Sequence, residues 1–407
     1  MKLGILTFHS QLNYGGVLQC WALKTALEEL GHEVVVVDRW LDRRNSLLLG
    51  EFQNRGLKGW LKLGVRGLLG CGDFGLLIRA IRTIRFVRGL GLTKEHFYEW
   101  SEIKQSNNKA IEQVDLLVVG SDQVWHCGDW GDPRVYLLEG APAVKAISYA
   151  ASFGLKSLPD AFPCGTPREM RNAVQCYREG LSKFAAISCR EKEGVEICKG
   201  LGFAATHVAD PTLLLSPDTW KAFVGCNRAG GLRPNRRKLV CYFMSVQVEA
   251  NLPLLEKFAI AMDCTVEVLV NRPVLQPLPK SLKAVASNFR SSRVRICRGY
   301  GPREFVKAFS SATWVVTDSF HAVMFASIFR CNARFVRPTC KMREGMFARI
   351  VEFAALGISG SFFVDRVAMA LASFEKGETI SYNCSAIEER RRESLAWLKS
   401  AVEVPYR

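Results

Sequence analysis

The chain has 407 residues, of which 48% are hydrophobic, and its 55 Lys and Arg against 39 Asp and Glu give a net charge of +16. This composition argues against long-range disorder and provides enough chain for two or three domains, each with its own core. The positive charge is concentrated in four segments: 51–94 carries +7, 228–238, 290–303 and 330–349 carry +5 each, and the remainder carries −6. Such clusters attract nucleic acid, an anionic membrane or a phosphorylated small molecule.

Membrane-spanning and metal-binding classes are not supported. No run of about 18 uncharged apolar residues is present, and the N-terminus predicts a first strand rather than a secretory signal. The 14 cysteines are scattered from Cys20 to Cys384 without a C-x-x-C pair, which is typical of buried thiols in a reducing compartment. We therefore expect a cytoplasmic protein without a zinc site.

The first half of the chain alternates apolar strands with helices. Residues 3–8 predict a strand, 14–30 a helix that ends at Gly31, and 33–38 a β-branched strand, which together make a βαβ unit. Further strands are predicted at 115–120, 146–152, 185–190 and 206–210, and further helices at 166–183 and 191–201. We expect residues 1–225 to form a doubly wound α/β domain.

The second half repeats this alternation after a polar linker at 226–237. Strands are predicted at 238–244, 264–270, 293–297, 313–317 and 332–336, and helices at 247–262, 302–310 and 320–329. Residues 238–380 would form a second Rossmann-like domain, and 381–407 a solvated terminal helix. Two such domains facing each other predict a cleft, with ligands at the carboxyl ends of the strands.

A basic, amphipathic insertion at about 45–95 interrupts the first domain. Arg79, Arg82, Arg85 and Arg88 recur every three residues between apolar side chains. Such a segment either packs its apolar side on the protein or lies on an anionic membrane surface. The sequence leaves both alternatives open.

The first candidate motif is Asn13-Tyr14-Gly15-Gly16-Val17-Leu18-Gln19, between the first strand and the first helix. Two glycines at a helix N-terminus let backbone N–H groups approach an anion. The spacing is not G-x-G-x-x-G, so a dinucleotide site is only weakly indicated. A tight strand-to-helix turn is the simpler alternative.

Two further motifs follow strand ends. Gly120-Ser121-Asp122-Gln123-Val124-Trp125 comes directly after a strand, where it either builds a site or caps the next turn. Thr317-Asp318-Ser319-Phe320-His321-Ala322 opens a helix and places His321 in the first turn, where the helix dipole favours anions. Asp318 would either orient the imidazole or cap that helix.

Two arginines complete the candidate set. Arg190 ends the strand at 185–190, and Arg349 lies on a helix of the second domain. Each is either an anion-binding residue or an ordinary surface charge.

These motifs resemble those of the polysaccharide pyruvyl transferase family. Asn13–Gln19 is similar to the family's N-Y-G-x-V-L-Q, and the other blocks follow in the same order over about residues 3–357. Those blocks are Gly120–Trp125, Ile147–Gly154, Asp210–Leu214 and Thr317–His321.

The resemblance implies a glycosyltransferase type B-like fold and transfer of the enolpyruvyl group of phosphoenolpyruvate to a sugar, which gives a pyruvate ketal. It implies that His321 is the active-site histidine and that Arg190 binds the donor. Some members have an arginine where this chain has Ser319, so Arg349 or Arg298 would have to replace it.

Ketal formation requires a general acid, groups that bind phosphate and carboxylate, and exclusion of water. His321 is the candidate acid, and Asp122 or Asp318 would accept the proton of a sugar hydroxyl. Donor and phosphate binding are assigned to Arg190, Arg349, Ser319, Gly15 and Gly16, and acceptor binding to Asn13, Ser121 and Gln123. No metal or organic cofactor is required, because phosphoenolpyruvate is a co-substrate.

The acceptor is expected to be a sugar or a lipid-linked oligosaccharide of a cell-surface polysaccharide, with peripheral contact at the inner face of an anionic membrane as a further expectation. Two other functions compete: a type-B glycosyltransferase with a nucleotide-sugar donor, and a non-enzymatic assembly or nucleic-acid-binding protein. The charge clusters at 290–303 and 330–349 flank the His321 motif in sequence, as a pocket for an anionic donor would need. No nucleic-acid-binding module accompanies the basic segments, so nucleic acid is not expected as a partner.

Overall fold

A computed structural model describes residues 1–9, 13–39, 74–94, 97, 114–127, 133–141, 144–161, 166–225, 237–270, 291–338 and 344–404. The chain forms two compact units. Unit 1 comprises Met1–Gln53, Phe86–Leu215 and Glu388–Arg407, and unit 2 comprises Asn54–Arg85 and Ser216–Ile387. The predicted linker lies outside the described residues except for its last position.

The elements up to Leu215 alternate strands and helices. The strands are β1 (Lys2–Leu6), β2 (Glu33–Val36), β3 (Leu116–Val119), β4 (Ala146–Ser148), β5 (Phe184–Ala186), β6 (Ser188–Cys189) and β7 (Thr206–His207). The helices are α1 (Tyr14–Glu29), α2 (Phe74–Arg88), α3 (Pro167–Leu181) and α4 (Lys192–Gly200). Five strands form one parallel sheet in the order β2-β1-β3-β4-β5, and β6 pairs with β7 beside it.

The elements from Ser216 onward repeat the pattern. The strands are β8 (Arg237–Tyr242), β9 (Cys264–Leu269), β10 (Val294–Cys297), β11 (Trp314–Thr317), β12 (Asn332–Val336), β13 (Ile358–Ser359), β14 (Phe363–Val364) and β15 (Ser381–Tyr382). The helices are α5 (Pro217–Phe223), α6 (Val248–Ala261), α7 (Pro302–Ser310), α8 (Phe320–Ile328), α9 (Glu344–Gly357), α10 (Val367–Glu375) and α11 (Cys384–Val402). The main sheet is parallel in the order β10-β9-β8-β11-β12-β14, and β13 pairs antiparallel with β15.

The strand orders confirm the predicted fold class of two Rossmann-like, doubly wound units. Unit 1 has the flavodoxin-like order, and unit 2, numbered within itself, has the order 3-2-1-4-5-6. Such sheets bind ligands outside the carboxyl ends of the two strands at which the order reverses. These strands are β1 and β3 in unit 1, and β8 and β11 in unit 2. The predicted cleft between the domains stays a prediction.

The central strands are buried because helices cover both faces of a parallel sheet. All four residues of β3 and all four of β11 are buried, as their continuous apolar runs predict. The predicted strand 185–190 instead divides into β5, which pairs with β4, and β6, which pairs with β7. The pairing of β4 with β5 shifts register between Ala146 and Ile147, and this irregularity accompanies the division.

The C-terminal helix α11 differs from the prediction of a solvated helix. Ser394, Leu398 and Ala401 are buried at helical spacing, which gives the helix an apolar stripe. The Ser394 hydroxyl accepts a hydrogen bond from Ala209 N at 2.9 Å, and Arg391 donates to the Leu214 carbonyl at 3.3 Å. The charged side chains of this helix lie on its exposed face, and its other face is buried.

The described part of the insertion favours packing over membrane contact. On α2, Arg79 is buried and donates to the Val270 carbonyl at 2.9 Å, and Arg82 donates to the Gly299 carbonyl at 2.8 Å. The remaining positions of the insertion up to residue 73 lie outside the described residues. Across the described ranges, no helix is both long and apolar enough to cross a membrane.

Candidate active site

The turn between β1 and α1 is held by its own polar side chains. Asn13 caps α1, since its Oδ1 accepts a hydrogen bond from Gly16 N at 3.0 Å. Gln19 donates from Nε2 to Thr7 Oγ1 at 3.0 Å and to the Gly16 carbonyl at 2.9 Å. Both polar ends of the Asn13–Gln19 motif therefore fix the turn itself, and the predicted role of Asn13 in acceptor binding competes with this capping bond.

The loop after β3 brings Asp122 to the start of α1. Asp122 has φ of 71°, and its Oδ2 lies 3.8 Å from where a Cβ on Gly16 would stand. Ser121 is fully buried, and its carbonyl accepts from Thr7 Oγ1 at 2.7 Å. Gln123 lies against Gly154, where an added Cβ would come within 2.3 Å of its Nε2. Of the residues assigned to the acceptor in this loop, Ser121 is enclosed and Gln123 is half-buried.

Arg190 is paired with two carboxylates. Its guanidinium donates from Nη1 to Asp210 Oδ2 at 3.0 Å and from Nη2 to Asp122 Oδ1 at 3.3 Å. The side chains of Arg190 and Asp210 are 2% and 1% exposed, and that of Asp122 is 15% exposed. Burial alone would lower the pKa of Arg190, but the charges of Asp122, Asp210 and Glu191 outweigh it and raise that pKa.

Asp210 had no role assigned from sequence, although it lies in a motif block. Its Oδ1 accepts from the N–H and hydroxyl of Thr212 at 3.0 and 2.7 Å, so this carboxylate also caps the turn that follows β7. The sequence feature that could have indicated a role for Asp210 is its position at the end of a predicted strand. Glu191 was also missed: it is buried, and its Oε1 accepts from Phe153 N at 2.9 Å.

A second buried pair joins the carboxyl ends of β1 and β2. The ring of His9 lies with Nε2 3.0 Å from Asp38 Oδ1 and Nδ1 3.2 Å from the Thr7 carbonyl oxygen. Both side chains are buried. The sequence motifs did not point to this pair, because His9 and Asp38 are separated by the whole of α1.

His207 contacts the backbone of Arg190 and makes the stability of this region depend on pH. Its Nε2 lies 3.2 Å from the Arg190 carbonyl oxygen, and burial, with Arg390 nearby, lowers the pKa of His207 from 6.5 to about 4. The unfolded chain therefore binds the proton that the folded chain excludes, so the stability due to neutral His207 is complete above pH 6.5 and is lost as the pH falls to about 4.

We expect the free energy of unfolding of unit 1 to fall between pH 7 and pH 4, with a contribution from His207 of about 3 kcal/mol at most. In His207→Gln this part of the pH dependence should disappear. Hydrogen exchange of the β6 and β7 amides at several pH values would measure it. Equal pH dependence in wild type and variant would contradict the assignment.

In unit 2, Asp318 directly follows β11 and binds the turn after β8. Its Oδ2 accepts from Ser245 N at 2.7 Å and from Val246 N at 3.2 Å, and its Oδ1 accepts from Met244 N. The Ser245 hydroxyl also donates to Oδ2. Asp318 is 1% exposed, so its carboxylate is fully engaged within the protein. These bonds differ from the predicted roles as a base, as the partner of His321 or as the cap of α8.

The start of α8 collects the other predicted residues of unit 2. Ser319 is the N-cap and makes no side-chain cap bond, and His321 is in the first turn. Arg349, from α9, is 5% exposed, and its Cζ lies 5.6 Å from the centroid of the Phe320 ring. That ring lies 5.4 Å from the His321 ring. A guanidinium, an imidazole and a helix N-terminus therefore meet around Phe320.

The position of Arg349 decides between the two arginines proposed to replace the family arginine at position 319. Arg298 follows β10, which is separated from β11 by β9 and β8 in the sheet. Three strand spacings amount to about 14 Å. Arg349 is thus the arginine that the fold brings to the start of α8.

The basic segments 290–303 and 330–349 flank the His321 motif in sequence, but several of their arginines have partners elsewhere in unit 2. Three of these arginines form ion pairs: Arg293 pairs with Asp263, Arg295 with Glu267 and Arg337 with Asp365. Arg334 is buried and donates to the Ala333 and Glu378 carbonyls at 3.0 and 3.1 Å. A cluster of charge in the sequence is therefore divided among different partners in the fold.

The cysteines and acidic groups of the described ranges provide no metal centre. Ten cysteines there are free thiols, and seven of them are buried. Burial raises the pKa of Cys20 to about 12 and that of Cys264 to about 11, which keeps these thiols protonated. Within those ranges, no three His, Cys, Asp or Glu side chains are grouped to hold a metal ion.

Comparison with solved structures finds similar chains. UDP-GlcNAc 2-epimerase from Neisseria meningitidis, bound to UDP-GlcNAc, is 9% identical, with a TM-score of 0.52 and coverage of 99% of both chains. A putative UDP-N-acetylglucosamine 2-epimerase from Listeria monocytogenes is 10% identical, with a TM-score of 0.49 over 98% of this chain and 90% of that one. Glycosyltransferase VinC in complex with dTDP is 13% identical, with a TM-score of 0.41 over 99% and 98%. The likeness to the Neisseria meningitidis epimerase, with a TM-score of 0.52, supports a glycosyltransferase type B-like fold.

Sequence comparison identifies the family. No curated protein matches the chain significantly in sequence. A family model described as polysaccharide pyruvyl transferase matches residues 13–338, which include the motifs after β1, β3 and β11 and most of the chain. The match confirms the resemblance and makes the protein an enzyme, which sets aside the non-enzymatic alternative. The chain belongs to the polysaccharide pyruvyl transferase family.

Proposed function

We propose that the enzyme transfers the enolpyruvyl group of phosphoenolpyruvate to two hydroxyls of one sugar, in a polysaccharide precursor, with release of phosphate. The observation that carries the proposal is the grouping of His321, Arg349 and the N-terminus of α8 outside β11. That position is at the strand-order reversal of unit 2, where doubly wound sheets bind ligands.

The start of α8 suits an anionic donor. The helix N-terminus and the guanidinium of Arg349 both favour negative charge, and a planar guanidinium binds a carboxylate or phosphate through two parallel hydrogen bonds. The carboxylate of Asp318, just before this helix, is taken up by hydrogen bonds from the turn after β8. We therefore assign donor binding to Arg349, with Ser319 beside it.

His321 is the group that moves the proton. Histidine is the residue type whose unperturbed pKa is closest to neutral, as a general acid for the methylene carbon requires. Protonation of that carbon leaves a cation at C2, and a sugar hydroxyl attacks it and loses its proton. The C2–O bond to phosphate then breaks, and a second hydroxyl closes the ketal and loses its own proton. The released phosphate carries away the bonding electron pair.

The edge of unit 1 suits a neutral sugar better than a phosphate. Asp122, Asp210 and Glu191 place three carboxylates around the single guanidinium of Arg190. Asn13 already takes the N–H of Gly16. We therefore propose that Asp122, the most exposed of the three carboxylates, accepts the proton of an acceptor hydroxyl, and that Arg190 positions it. The Gly15–Gly16 turn would then contact the sugar rather than a phosphate.

The direct test is incubation of the enzyme with phosphoenolpyruvate and a panel of sugars and lipid-linked oligosaccharides. Inorganic phosphate should appear only with an acceptor, and the product should gain the mass of pyruvate less one water. A second candidate is a type-B glycosyltransferase with a nucleotide-sugar donor, since an epimerase of similar fold binds UDP-GlcNAc. Consumption of a nucleotide sugar, without phosphate release from phosphoenolpyruvate, would establish that candidate instead.

Replacing Arg349 with methionine should raise the KM for phosphoenolpyruvate roughly tenfold to a hundredfold, because a hydrogen-bonded ionic contact is lost. Arg349→Lys should show a smaller rise in KM, since lysine keeps the positive charge but lacks the planar guanidinium that makes two parallel hydrogen bonds. The matched control is Arg293→Met, which removes an arginine at the amino end of β10 that pairs with Asp263. An unchanged KM in Arg349→Met would contradict the assignment.

A further inference from the structure

Unit 2 has the strand order of nucleotide-binding Rossmann domains, and this raises the question of where a nucleotide would bind. In such domains the phosphates lie on the backbone N–H groups of the turn after the first strand and of the helix that follows. The first strand of this sheet is β8, and its turn is Phe243–Gln247, which leads into α6. In this protein, the phosphates of a nucleotide would therefore lie at the turn Phe243–Gln247.

That position already contains an anion from the protein itself. The N–H groups of Met244, Ser245 and Val246 all donate to the carboxylate of Asp318, and so does the Ser245 hydroxyl. Asp318 reaches them from the end of β11, the strand next to β8. The carboxylate oxygens of Asp318 therefore take the same backbone donors that the oxygens of a bound phosphate would use.

We propose that Asp318 is a specificity-determining residue that fills the phosphate position of unit 2 and so excludes nucleoside diphosphates. A nucleotide phosphate at this turn would meet a buried like charge and would have to compete for donors already used. Like-charge contact of this kind is a common way to reject a wrong ligand. The inference rests on the proposed function in one respect: it explains why the donor would be phosphoenolpyruvate, which carries no nucleotide.

The sequence of the turn agrees with this role. Phe243-Met244-Ser245-Val246-Gln247 contains no glycine, so the backbone is less open to a bulky pyrophosphate than a glycine-rich turn would be. Gln247, the N-cap of α6, makes no side-chain cap bond, and Glu249 adds a second acidic residue in the first turn of this helix. The backbone donors of this turn are therefore occupied by the carboxylate of Asp318.

The test is to remove the carboxylate and measure binding of UDP to the full chain by isothermal titration calorimetry. Wild type should show no binding of UDP at millimolar concentration, whereas Asp318→Ser should show an affinity for UDP at least about tenfold higher than wild type. Asp218→Ser is the control, because it removes an acidic residue of the same unit that is exposed and pairs only with Lys221 among the ion pairs seen. This control should behave as wild type.

Two results would overturn the proposal. One is binding of UDP to the wild type, and the other is an Asp318→Ser variant that is folded by circular dichroism and binds no more tightly. If Asp318→Ser does not fold, Asp318→Asn keeps the size of the side chain and removes the charge, and it should still gain affinity. Phosphate release from phosphoenolpyruvate is measured separately, so a wild type that rejects UDP but fails that assay refutes the proposed function and not this inference.

Discussion

Replacing His321 with glutamine is expected to lower the rate of phosphate release from phosphoenolpyruvate by about 10²–10⁴-fold, the usual contribution of a positioned general acid. Glutamine preserves the size and polarity of the side chain but cannot supply a proton near neutral pH. His321 sits in the first turn of α8, beside the ring of Phe320. The KM for phosphoenolpyruvate should change far less than kcat, because Arg349 and the helix N-terminus remain.

The control for this experiment is His32→Gln, which removes a histidine just before the amino end of β2, away from the carboxyl ends of the strands. Its kinetic constants should match those of wild type. A kcat of His321→Gln within a few fold of wild type would show that another group provides the proton. A rise in KM with unchanged kcat would instead make His321 a donor-binding residue.

Replacing Arg190 with methionine is expected to destabilise unit 1 by about 3–5 kcal/mol, because it leaves buried carboxylates without their cation. Asp122 and Asp210 both accept hydrogen bonds from this guanidinium. An exposed ion pair would contribute at most about 1 kcal/mol, so the size of the effect distinguishes the buried network from a surface charge. Hydrogen exchange of the β3 and β4 amides reports on unit 1 alone and would measure the change.

Two further variants sharpen the result. Combining Arg190→Met with Asp210→Asn should restore part of the stability, since one of the stranded charges is removed. Arg134→Met is the matched surface control, because Arg134 is 59% exposed and lies 3.9 Å from Glu139. If Arg190→Met keeps full stability but raises the KM for phosphoenolpyruvate, Arg190 binds the donor as the family resemblance implies.

The elements were predictable because their signals are local. The buried runs of β3 and β11 and the helical spacing of α1 depend on neighbours within a few residues, and each lies within two residues of its predicted bounds. The break between β5 and β6 was not predictable. It depends on which strand each segment pairs with, and that is decided by residues about 40 positions earlier for β5 and about 20 later for β6.

The candidate site was predictable only in part, for the same reason. His321 could be placed at a strand end from its motif alone, and the family match supports that motif. The partners of Arg190 lie 20 and 68 residues away, and those of Asp318 lie more than 70 residues away. A sequence motif shows that a charged side chain is present but not which opposite charge or backbone donor it meets.

The amino-acid sequence was sufficient for the two doubly wound units, the family and the strand ends at which chemistry is expected, because apolar periodicity and short motifs are written in consecutive residues. The net charge of +16 was the least informative feature, since many of the basic side chains pair within their own unit. Only the tertiary structure decided that Arg349 rather than Arg298 meets the start of α8, that Arg190 is enclosed by carboxylates, and that Asp318 fills the turn after β8. Charge acts through distance and burial, and both are set by how the strands are ordered in the sheet.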